Sequence, residues 1–87
     1  MERLRAADRE AGVEETSLTD AQKAAIAEAR SVASSRLAER EILFRDSMKK
    51  VLDPVERDKA EEEYRVDRSR IEADRDRSIE KIRRGEA

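Results

Sequence analysis

Between Gly12 and Gly85 the chain holds a single strong helix breaker, Pro54. Proline has no backbone N–H, and its ring collides with the preceding turn, so it cannot sit inside a helix without breaking it. It is well suited to the first position of a new helix. Here Asp53 precedes it as N-cap and Glu56 follows as third helical residue, a capping-box arrangement. The residue before a proline is also driven out of the α region. The expected chain path is a long helix ending near Leu52, one reversal at 53–54, and a second long helix beginning at Pro54. The fold class is all-α: an antiparallel two-helix coiled-coil hairpin over residues 18–85, preceded by a flexible N-terminal arm over residues 1–17.

The first helix should run over residues 19–52. Thr19 and Gln22 form a capping box with Leu18 at the staple position, and Asp20 places negative charge on the first turn. Its length, about 33 residues, makes a rod of about 50 Å. The covered stripe is Leu18, Gln22, Ile26, Ala29, Ala33, Leu37, Arg40, Phe44, Met48, Val51 and Val55. Steps of four, four and three give an eleven-residue repeat, near 3.67 residues per turn, which keeps the helix nearly straight or slightly right-twisted against its partner. The second helix should run over residues 54–84, with Gly85 as C-terminal cap and Lys81, Arg83 and Arg84 at the negative end of the dipole. Its stripe passes through Ala60, Tyr64, Asp67, Ile71, Arg75, Ser78 or Ile79, and Ile82. Folding back at Asp53 sets opposite one another residues whose numbers add to about 108. Phe44 then meets Tyr64, and Arg40 meets Asp67 in or beside the seam, a polar layer that can fix register at some cost in stability.

Charged residues make up 48% of the chain and hydrophobic ones 37%, with one Tyr, one Phe and no Trp. Two such helices bury little surface, so this is one domain at most and its core is thin. A second, flanking stripe runs through Ala25, Val32, Ile42, Leu43 and Leu52, and of these Val32, Ile42, Leu43 and Leu52 are left over from what the second helix can cover. Either the hairpin dimerises into a four-helix bundle, or this apolar face meets another protein.

No Cys or His is present, which removes disulfides, thiol and imidazole chemistry and most zinc sites. Ser34 and Ser35 have no base partner. The acids near the turn lack the glycine spacing of a calcium loop. No enzyme activity, cofactor or metal is expected. The net charge of -2 and the alternating signs along both helices, as in Arg65, Asp67, Arg68 and Arg70, fit solvated faces and do not point to direct nucleic-acid binding. No apolar run approaches the length of a membrane span, and Met1–Arg5 lacks the apolar centre of a signal peptide, so the expected location is cytoplasmic.

The tip carries Asp53, Glu56, Asp58, Glu61, Glu62 and Glu63. Acids in a first turn serve capping and the helix dipole. The run Asp53-Pro54-Val55-Glu56-Arg57, then three residues, then Glu61-Glu62-Glu63-Tyr64, also resembles the coiled-coil tip of the DksA/TraR family. That family's pattern is Asp-Pro-Val-Asp-Arg, three residues, then Glu-Glu-Glu-Phe. Residues 79–85 are similar to the stretch leading into its zinc finger. The chain differs in Glu56 for a second Asp, in Asp58 for a small Ala, and in having no Cys for the finger. The resemblance implies a non-enzymatic regulator that inserts a helical hairpin into the secondary channel of bacterial RNA polymerase, with Asp53 and Glu56 as tip acids. The alternative is a helical adaptor, small chaperone, inhibitor or antitoxin-like protein. It would grip its partner through Val32, Ile42, Leu43 and Leu52 on the exposed face of the first helix.

Overall fold

The computed structural model describes residues 18–86. The expectations for residues 1–17 lie outside them. Two helices account for almost all of the described chain: α1 spans Asp20–Lys50, 31 residues, and α2 spans Pro54–Arg83, 30 residues. They pack as an all-α hairpin, with no strand among the described residues.

α1 starts as its sequence dictates. The Thr19 hydroxyl accepts from the Gln22 N–H at 3.0 Å, and the Gln22 side-chain carbonyl accepts from the Thr19 N–H at 2.8 Å, so both halves of the capping box form. At its other end α1 stops at Lys50, two residues before the expected Leu52. Val51 is already extended at φ -97°, ψ 114°, and Asp53 is extended at φ -68°, ψ 124°. A reversal needs several non-helical residues, and the proline fixes only the last of them.

At the start of α2, Pro54 occupies the first turn as expected. The capping box there is replaced by a simple N-cap. The Asp53 carboxylate accepts from the Val55 N–H at 3.3 Å, whereas Glu56 turns to the Lys59 ammonium 3.7 Å away. With a cation one turn ahead on the same face, the Glu56 side chain swings forward instead of back to the cap. α2 ends in a Schellman motif: Gly85 N–H donates to Ile82 C=O at 3.0 Å and Glu86 N–H to Lys81 C=O at 2.9 Å. Gly85 takes φ 76°, the left-handed conformation this motif requires.

The seam follows the stripes. Every expected α1 seam residue from Leu18 to Val51 is at least partly covered, and Val55 is the exception at 60% exposed. It belongs to the first turn of α2, where the α1 period no longer applies. The buried residues, Ile26, Ala33, Ile79 and Ile82, all lie in the half away from the turn. Leu18, Ala25 and Ala29 pack against the isoleucine cluster. Nearer the turn, Phe44 stacks on Tyr64 with ring centroids 4.2 Å apart and planes 5° from parallel. One turn further from the tip, Arg40 Nε meets the Asp67 carboxylate at 2.8 Å. The Arg40 guanidinium also lies 5.5 Å from the Tyr64 ring centre, with Arg68 at 5.7 Å, positions where the ring's quadrupole attracts a cation.

The outer faces carry ion pairs along single helices: Glu41–Arg45, Asp46–Lys50, Glu62–Arg65, Asp74–Arg77 and Glu80–Arg84. In each the acid precedes the base, the order that also suits the helix dipole.

Candidate protein-binding tip

The apex is held by side chains from both sides of the turn. Asp53 caps α2, and Arg57, four residues on, reaches back across the reversal. One guanidinium nitrogen, Nη1, donates to the Met48 and Val51 carbonyls, each at 2.9 Å. The last carbonyls of α1 have no partner within their own helix, and their dipole favours a cation. Arg57 supplies both needs, with Lys49 and Lys50 adding positive charge in the same turn. At the opposite end of the hairpin the roles are exchanged. Gln22, from the start of α1, donates through Nε2 to Ile82 C=O at 2.9 Å, at the end of α2. Each helix thus has its C-terminus closed by a side chain from the first turns of the other.

Neither contact was foreseen from the sequence. The sequence places Gln22 in the capping box and the seam, and its height opposite Ile82 is the signal for the contact. Arg57 continues the α2 stripe of Ala60 and Tyr64 by one more step toward the tip, which places a long cation beside the end of α1.

On this fixed apex two apolar side chains face solvent. Leu52 is 85% exposed, the highest value among the exposed large hydrophobics, and Val55 is 60% exposed. Asp53, Glu56 and Asp58 are all exposed around them. Asp58 and Glu61 add to the field at Arg65, whose pKa is raised first by its hydrogen bond to Glu62 and then by that carboxylate's charge.

The candidate residues fall into two groups. Leu52, Asp53, Glu56 and Asp58 share the tip. Val32, Ile42 and Leu43 lie along α1, exposed at 40%, 66% and 63%. Leu52 is separated from the α1 group because it stands about two and a half turns past Leu43, on the opposite side at the helical period, and lies beyond the extended Val51 at the reversal. A single apolar face containing all four is therefore not formed.

A groove of about 610 Å³ lies at the far half of the hairpin and is open to solvent, lined by Arg30, Ser34, Leu37, Arg75, Ile79 and Arg83 among others. Among the described residues no cluster of three or more acidic side chains is placed to hold a metal ion. No helix there is long and apolar enough to cross a membrane. Comparison with known protein families, with characterised proteins and with solved structures gave no match for this chain.

Proposed function

We propose that the chain is a non-enzymatic protein-binding hairpin that works through its tip, as a regulator of bacterial RNA polymerase of the DksA/TraR kind. The observation that carries this is the exposure of Leu52 and Val55 on an apex fixed by Asp53, Pro54 and Arg57. Folding alone favours polar side chains at such a position. A rigid apex with apolar knobs ringed by acids suits insertion into a concave, basic-lined site, because little ordering entropy is lost when it binds.

The test is binding of the purified chain to bacterial RNA polymerase. The variants are Asp53→Asn with Glu56→Gln, and separately Leu52→Ser. Asn caps a helix about as well as Asp, and the Glu56–Lys59 pair is long and exposed, so helicity should hold. Loss of about tenfold or more in affinity at unchanged circular dichroism supports the reading. Undiminished binding by both variants, or no binding by the parent chain, refutes it.

A further inference from the structure

The exposed flank of α1 has an internal symmetry. Val32 and Leu43 are eleven residues apart, three turns at the period of this helix, so they stand on one line along it. Arg36 and Glu39 lie between them on the same side. All four are exposed. Ile42 stands one step round the helix, on the line that also carries Ser31 and Ser35, both exposed and small. The outer charges of α1 around Glu41, Arg45, Asp46 and Lys50 pair along the helix. Arg36 and Glu39 take part in no ion pair among the described residues.

We infer that this flank is self-complementary, and that a second copy of the chain docks on it antiparallel, with Val32 against Leu43 of the second copy and Arg36 against its Glu39. A two-fold axis perpendicular to α1, passing between residues 37 and 38, produces both pairings, each twice. The same operation brings Ile42 of the second copy to the height of residue 33, into the gap over Ser31 and Ser35. Apolar groups meet apolar or small ones, and Arg36 and Glu39 each meet their opposite. A parallel arrangement in register fails on the same residues, since it sets Arg36 beside Arg36 and Glu39 beside Glu39. The α2 flank is a poorer docking surface. Its exposed large hydrophobics are Val55, at the tip, and Val66, which is 43% exposed among charged neighbours.

The contact is isologous, so every substitution acts twice. Sedimentation equilibrium of the full chain, followed up to about 1 mM, should show a monomer–dimer equilibrium that Leu43→Glu weakens at least tenfold. Arg36→Glu and Glu39→Arg should each weaken self-association, while an equimolar mixture of the two should form a heterodimer, because the opposed charges are restored. The register has its own test, since the chain has no cysteine. Val32→Cys mixed with Leu43→Cys should oxidise to a mixed disulfide. Val32→Cys alone should not, because its two copies lie about 16 Å apart, beyond the reach of a disulfide. A chain monomeric at all concentrations overturns the inference. So does a dimer indifferent to Leu43→Glu, or one in which Val32→Cys cross-links to itself.

Discussion

Replacing Arg57 by Ala tests whether the tip is built or merely capped. The side chain donates two hydrogen bonds, both at 2.9 Å, to carbonyls that end α1. A bond from a charged donor contributes roughly 1.5–3 kcal/mol when sheltered, but these carbonyls lie at a part-buried turn where water can replace the lost donor. Together the two bonds should be worth about 2 kcal/mol, and the cation's interaction with the end of the α1 dipole adds a few tenths. For a domain of this size, 1 kcal/mol moves the midpoint by about 4–8 °C, so the loss in Tm should be about 8–16 °C. Urea and thermal unfolding followed by far-UV circular dichroism would measure it. Arg57→Lys keeps the charge but not the planar fork, and should recover about half of the loss. A cost below about 0.5 kcal/mol for Arg57→Ala would refute the reasoning, because it would mean the turn is held by Asp53 and Pro54 alone.

Other substitutions follow from the same geometry. Phe44→Ala removes a half-buried ring from its stack on Tyr64 and should cost about 2 kcal/mol in urea unfolding, with Phe44→Leu restoring about half. Arg40→Ala alone should destabilise by about 1 kcal/mol, since Asp67 loses its counter-ion while still partly covered; the pair Arg40→Leu with Asp67→Leu should be neutral or stabilising by chemical denaturation. Gln22→Ala loses half of the capping box and the bond to Ile82 C=O, and should lower stability by about 1–2 kcal/mol, with faster amide exchange at both ends of the open half.

The pairing of the helices is legible in the sequence because one turn and two straight rods convert residue number into height. Phe44 and Tyr64, and Arg40 and Asp67, meet for that reason. The bonds made by Arg57 and Gln22 to backbone carbonyls were hidden, since they depend on how far a long side chain reaches across a particular turn, and period carries no such information. The end of α1 was misplaced for a related reason: the proline excludes helix at Asp53 but says nothing of how many residues before it must straighten. For the candidate surfaces, the surplus of apolar residues on α1 was visible as an uncovered stripe. Its division into a tip and a flank follows from the same period, because Leu52 stands about two and a half turns past Leu43 and so on the opposite side of the helix.

The hairpin requires the backbone to reverse at Pro54 so that the two halves of one molecule lie against each other. With one Phe and one Tyr in the chain, ring-to-ring nuclear Overhauser effects are unambiguous. The decisive measurement records them in a mixture of isotope-labelled and unlabelled chains, filtered to separate contacts within a molecule from contacts between molecules. Strong intramolecular cross-peaks between the Phe44 and Tyr64 rings are expected from centroids 4.2 Å apart. Cross-peaks found only between molecules, or none at all, would contradict the hairpin and everything placed upon it.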